Sequence, residues 1–300
     1  MPSLRSYVFR VLTKIFSARL NSISSIPQLR AFVGTGSNHP VLPRGATLKP
    51  EKADGVSVEW IVPPNAAAQP VILYLHGGGW TLGWYNSHRW LVAHICRAAA
   101  SRALAVDYRL APENPFPAAL EDCLAAYRWL LKSGTPPQQI VIVGDSAGGN
   151  LALTTLMALR DAGDLLPAAA VCISPMTDLA GTGESFKTNK DPLLTARFAL
   201  SMARHYVGNQ DPCLPLISPH YGNLSGLPRL LIHVGEDEIL LSDAARLTDN
   251  ARAAGVDVSL VIWPKMWHVW HVFVPYLPEA QQAVNAIGAF IHERILSAKA

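Results

Sequence analysis

The run Gly144-Asp145-Ser146-Ala147-Gly148 sets a serine between glycines, after the apolar run Ile140–Val143 and at the start of a helical pattern, Ala147–Asp161. Five letters of the form G-x-S-x-G recur by chance, and an ordinary glycine-rich turn fits them equally well. The setting is more telling than the letters. A serine on a sharp strand-to-helix turn needs small neighbours, because side chains there would collide. Its hydroxyl then stands beside a helix N-terminus, whose N–H groups favour developing negative charge. That is the environment of a nucleophile in acyl transfer.

A second glycine-rich run, His76-Gly77-Gly78-Gly79-Trp80, follows the apolar run Val71–Leu75. Backbone without Cβ atoms can approach a ligand closely, as an oxyanion hole requires. The amides of Gly78, Gly79 and Ala147 are the expected donors. A phosphate-cradling loop would need a lysine in Walker spacing, and none follows.

Elements that could carry these turns recur along the chain. The segment Val56–Val62 alternates as a partly exposed strand should, and buried-strand runs follow at 71–75, 103–106, 140–143, 168–173, 230–234 and 258–262. Helical patterns at 117–132, 147–161 and 240–254 lie between them, the last stopped by Gly255. Strands alternating with helices predict an α/β fold with a mostly parallel, doubly wound sheet and a site outside the strands' carboxyl ends. From Asp178 to Gly226 the alternation stops, and apolar residues at helical spacing suggest a lid or cap.

HGGGW, then Asp107-Tyr108-Arg109-Leu110-Ala111-Pro112-Glu113, then GDSAGGN resembles the hormone-sensitive-lipase-like (bacterial family IV) branch of α/β-hydrolase carboxylesterases, over nearly the whole chain. The resemblance implies cofactor-free hydrolysis of small or medium acyl esters, and the apolar residues of the cap suggest an apolar acyl or alcohol group and permit lactones. It also implies a helical cap from residues 1–45 and 178–226 over a core of 46–177 and 227–300. The expected triad order is Ser, Asp, His. Asp237 follows the 230–234 strand and heads a stretch resembling the family's acid motif, so it is the expected acid. Of its rivals, Asp243 falls in the next helix and is expected to face solvent, Asp178 opens the cap, and Glu236 and Glu238 are read as surface charges.

His268 is the expected base, since it follows the last strand and precedes a terminal helix, and Trp270 supplies the family's aromatic two positions on. His271 is left as a pocket-wall residue at best. A metal site at this H-x-x-H pair would lack nearby further ligands, so no metal is expected. Trp80, Trp84, Phe186, Leu193, Phe198 and Met202 are candidate walls of an apolar substrate site, with Trp80, Trp84, Phe198 and Met202 foremost. An amidase or peptidase using the same constellation, and a non-catalytic small-molecule receptor on the same scaffold, are the alternative functions.

Half of the 300 residues are hydrophobic and 16% are charged, which fits a compact enzyme and excludes long disordered stretches. A net charge of +3 gives no case for nucleic-acid binding. The basic residues are unevenly placed, since residues 1–50 hold seven and no acidic one. Leu4, Val8, Leu12, Ile15 and Phe16 lie there at helical spacing, predicting an amphipathic basic helix packed on the core rather than a targeting or membrane-surface segment. No run has the length for stable membrane insertion, so the expected location is the cytoplasm and the expected partner a small-molecule ester, with a homodimer left open. Cys96, Cys123, Cys172 and Cys213 are too dispersed for a zinc site, and a chain this long needs no disulfide framework.

Overall fold

The computed structural model describes residues 2–35, 39–64, 66 and 70–297. Positions 1 and 36–38 of the expected cap, and 65, 67–69 and 298–300 of the expected core, lie outside the described residues. In chain order the elements are α1 (Leu4–Asn21), α2 (Ile26–Val33), β1 (Thr47–Ala53), β2 (Val56–Val62), β3 (Val71–Leu75), α3 (Asn86–Ala98), β4 (Arg102–Val106), α4 (Ala118–Lys132) and β5 (Ile140–Asp145). Then come α5 (Ala147–Asp161), β6 (Ala169–Ile173), α6 (Ser185–Thr188), α7 (Ala196–Val207), β7 (Arg229–Gly235), α8 (Leu241–Ala253), β8 (Val258–Trp263) and α9 (Pro278–Ser297).

Among the described residues eight strands form one sheet in the order β1-β2-β4-β3-β5-β6-β7-β8. From β4 to β8 every pairing is parallel, and β1 and β2 are antiparallel additions at one edge. Strands buried on both faces read as continuous apolar runs, and β3 shows why. Val71, Leu73 and Leu75 join the core layer of α4, α5 and α8, while Ile72 and Tyr74 join that of α3 and α9. β1 was not expected. Three of its seven residues are charged, it contains Pro50 and only Ala53 is buried, as suits an edge strand held by its hairpin partner.

The parallel register aligns the carboxyl ends that matter. Leu75 lies beside Gly144, Asp145 beside Ile173, and Ile173 beside His233. The loops after β3, β5, β6, β7 and β8 therefore open at one rim of the sheet. Above that rim α1, α2 and α7 share a small apolar cluster of Leu20, Ile26, Leu29 and Met202.

α1 is a helix as expected, but it packs with the opposite face. Ser6, Thr13, Ser17 and Leu20 are its buried residues, whereas Leu4, Val8, Leu12, Ile15 and Phe16 are exposed. Among the described residues no helix is long and apolar enough to cross a membrane.

Candidate active site

Ser146 sits between β5 and α5 with φ 55° and ψ −116°, a left-handed conformation forced by the sharp turn. The turn closes only because Gly148 has no side chain. A methyl there would collide with the carbonyls of Leu75 and His76. Asp145 is buried and ties the two glycine-rich turns together, its Oδ1 accepting from the Tyr74 hydroxyl at 2.6 Å and the Gly77 amide at 3.0 Å. Burial raises its pKa above the usual carboxyl range.

His268 Nε2 lies 2.9 Å from Ser146 Oγ. Its Nδ1 meets Glu238 Oε2 at 3.0 Å. The other oxygen of Glu238 accepts from Ser174 Oγ at 2.7 Å and from the Gly235 amide at 2.6 Å. Glu238 is fully buried, so each carboxylate oxygen has a partner where water is excluded. Burial by itself would lower the His268 pKa. The hydrogen bond and charge of Glu238, with the charges of Asp191 and Asp145, outweigh it and hold the pKa above 6.5.

The expected acid, Asp237, is not brought to the histidine. Its carboxylate turns to the rim, pairs with Arg10 at 2.7 Å and lies 4.0 Å from Lys265 Nζ. The tight turn after β7 causes the exchange: the amide of Glu238 bonds to the Gly235 carbonyl, and the Glu238 side chain folds back to that residue's own amide. Consecutive residues in such a turn point in different directions, and the longer glutamate reaches inward. Asp243 is also misplaced by the expectation of solvent exposure. It is buried and accepts from the amides of Thr177 and Asp178 at 2.8 and 3.0 Å.

Gly78, Gly79, Trp80, Ala147, Phe198 and Met202 line the cavity of about 440 Å³ into which Ser146 and His268 open. Among the described residues the Gly78 and Gly79 amides find no protein acceptor. The Ala147 amide opens α5, where helix geometry leaves donors free. Gly79 has φ +61°, and a Cβ there would press on the Met202 side chain at 2.7 Å, so the loop and α7 are in contact at the cavity. Leu193 joins the walls, with Leu12, Phe16, Val272 and Phe273.

Three expected wall residues lie elsewhere. Trp84 turns into the core behind the loop, donating to Glu59 Oε2 at 2.7 Å and stacking on His88. Phe186 is buried in the α4–α5–α8 core layer. His271 is fully buried away from the cavity, with Nε2 3.3 Å from His233 Nδ1. Trp80 stacks on Tyr206 at 4.6 Å while reaching the cavity wall.

Glu238, expected to be a surface charge, is instead fully buried against His268, and Ser174 and Asp191 are site residues that reasoning from sequence missed. Asp191 accepts the backbone N–H of His268 at 2.9 Å and the amides of Leu193 and Leu194 at 2.7 and 3.1 Å. Its burial lifts its pKa to about 6, opposed by the positive charge available on His268. The signal available for Glu238 was position alone, three residues past the end of β7.

Comparison with known proteins agrees with this architecture. The α/β-hydrolase fold family matches residues 72–272. An acetyl-hydrolase of Streptomyces hygroscopicus is 49% identical over 71% of this chain and 72% of its own length. A carboxylesterase/phospholipase of Mycobacterium tuberculosis, LipF, is 38% identical over 74% of this chain and 62% of its own. A solved esterase from the bacterial hormone-sensitive lipase family superposes with a TM-score of 0.91 at 44% identity, covering 95% of this chain and 98% of that one. The chain therefore belongs to the α/β-hydrolase fold family, in its hormone-sensitive-lipase-like branch of carboxylic-ester hydrolases.

Proposed function

We propose that the protein hydrolyses small to medium apolar acyl esters with Ser146 as nucleophile, His268 as general base and Glu238 as the acid that orients the histidine. The observation that carries this reading is the continuous path from Ser146 Oγ through the His268 ring to Glu238, at 2.9 and 3.0 Å, opening into an apolar cavity. His268 Nε2 takes the hydroxyl proton as Ser146 Oγ attacks the ester carbonyl carbon. The carbonyl oxygen becomes an oxyanion facing the Gly78, Gly79 and Ala147 amides. Collapse expels the alcohol, which takes the proton from His268 and leaves an acyl-serine. Water, deprotonated by the same ring, attacks that ester and releases the acid and the serine. Glu238 holds the Nδ1–H tautomer and stabilises the imidazolium throughout.

Within this proposal residues 1–45 and 178–226 form the cap and 46–177 and 227–300 the core. Support comes from α1, α2 and α7 meeting over the rim, with Leu12, Phe16, Leu193 and Phe198 supplying much of the wall. The cavity falls in the range of small-molecule sites, roughly 300–1,000 Å³. No step needs a metal or organic cofactor. We place the protein in the cytoplasm because all four cysteines are free, three of them buried. A homodimer is a further proposal, which a measurement of molar mass tests.

A fluorophosphonate probe with intact-mass and peptide analysis tests the assignment. It should modify Ser146 in the wild type and leave Ser146→Ala unmodified, and aryl butyrate turnover should vanish in that variant. Labelling elsewhere, or surviving turnover, would remove Ser146 from the mechanism. Faster cleavage of an anilide than of its matched ester would replace the esterase reading with the amidase one.

A further inference from the structure

The outward face of α1 is apolar. Leu4 is 87% exposed, Ile15 64%, Val8 60% and Val11 59%, and Tyr7 and Leu12 are also exposed. With 3.6 residues per turn these side chains share one arc of the helix. The face turned to the protein carries Ser6, Thr13 and Ser17, and Ser17 Oγ donates to the Leu193 carbonyl at 2.7 Å. Scattered exposed apolar residues need no explanation, but a continuous stripe along an 18-residue helix does.

Charge indicates what covers it. Arg5, Lys14 and Arg19 are exposed, Arg5 and Lys14 at the two edges of the arc and Arg19 within it, and the helix has no acidic residue. The nearby carboxylates are engaged: Glu279 accepts from Ser3, and Asp237 pairs with Arg10. Arg5 donates to the Tyr276 carbonyl, and none of the three forms an ion pair among the described residues; an apolar stripe bordered by such cations matches an interfacial helix whose apolar side enters the boundary between headgroups and acyl chains. Leu12 and Phe16, exposed on the same helix, also line the cavity that holds Ser146. The stripe thus runs up to the cavity mouth.

We propose that α1 docks the protein onto an anionic lipid surface and turns the cavity mouth toward it, so that substrate is drawn from the lipid phase. The role of the mouth rests on the esterase reading, whereas docking does not, so docking is measured on Ser146→Ala.

Co-sedimentation with phosphatidylcholine vesicles, pure or containing phosphatidylglycerol, should show binding that depends on the anionic lipid and weakens with salt. Val8→Asp/Ile15→Asp should abolish it. Lys14→Glu/Arg19→Glu should weaken it on the order of tenfold or more, since each cation near such a surface is worth roughly a fivefold change. These four side chains are exposed and outside the cavity wall, so both pairs, made in the wild-type background, should keep full turnover of a soluble short-chain ester, which also reports folding. Absence of binding, or binding indifferent to both pairs, overturns the proposal. So does a dimer in light scattering that Val8→Asp/Ile15→Asp converts to monomer, which would make the stripe an interface between copies.

Discussion

The main-chain N–H of His268 donates to Asp191 Oδ2 at 2.9 Å, so the loop carrying the proposed base is held by a carboxylate from the segment between β6 and β7. The same carboxylate accepts from the amides of Leu193 and Leu194, two cavity-wall residues. One carboxylate therefore fixes the histidine and part of the substrate wall together. Its negative charge also acts on the ring, adding to Glu238 in holding the His268 pKa above 6.5.

That relationship sets a pH dependence. Only neutral His268 can accept the serine proton, so kcat/KM should rise with pH along a limb whose midpoint is the His268 pKa, above 6.5. Asp191→Asn keeps one acceptor oxygen, enough for the His268 amide or for those of Leu193 and Leu194, and removes a charge that favours imidazolium. The midpoint should move to lower pH, with kcat on the plateau reduced less than tenfold, on the order of a weakened positioning contact. A kcat/KM profile from pH 5 to 9 on one aryl ester checks this, and an unmoved midpoint would mean that Asp191 acts on the wall alone.

Neighbouring acids should separate sharply. Glu238→Gln leaves the histidine facing an amide that can hold it in the wrong tautomer, and kcat should fall by about 10³–10⁴. Asp237→Asn should change kcat less than threefold and stability by about 0.2–1 kcal/mol, the usual worth of a partly exposed pair such as that with Arg10. Steady-state kinetics of the two variants decide between them, and a dead Asp237→Asn enzyme would restore the acid first expected.

Why the fold could be read while the acid could not follows from how each is encoded. A strand buried on both faces must be apolar throughout, so β3, β5 and β6 announce themselves in composition, and the two glycine-rich turns follow from close backbone approach. The acid depends on which way a side chain leaves a four-residue turn, and Asp237 and Glu238 are adjacent carboxylates with no period to tell them apart. α1 failed for a different reason. Amphipathicity states that a helix has two faces, but not which one the protein covers, and here serines and a threonine pack inward.

His268 and His271 are three residues apart and should behave oppositely. His268→Ala removes the base, and turnover should fall by ~10²–10⁴ or more, since triad members act as a unit. His271 is buried against Trp270 and His233, and burial holds both imidazoles well below the ordinary histidine pKa, so they are neutral packing groups. His271→Ala should leave a cavity costing about 2–4 kcal/mol, with kcat at 25 °C within a few-fold of wild type. Thermal unfolding and kcat measured on the same preparations separate the two effects.

Asp243 anchors the start of the segment between β6 and β7, because its Oδ2 takes the amides of Thr177 and Asp178 while Arg246 stands 3.6 Å from Oδ1. Asp243→Ala would strand both amides in a dry environment and should cost about 1–3 kcal/mol for each. Asp243→Asn can present its carboxamide oxygen to them, so its loss should be smaller and kcat should hold. The sign of the pH effect distinguishes the two chemistries. Burial raises the Asp243 pKa to about 7, above its unfolded value, so the stability linked to its proton is fully present below about pH 4 and is lost as the pH rises through 7. The asparagine lacks that titration. Its deficit in Tm relative to wild type should therefore shrink between pH 6 and 8.5, and a deficit that grows over that range would show that Asp243 works as a carboxylate paired with Arg246.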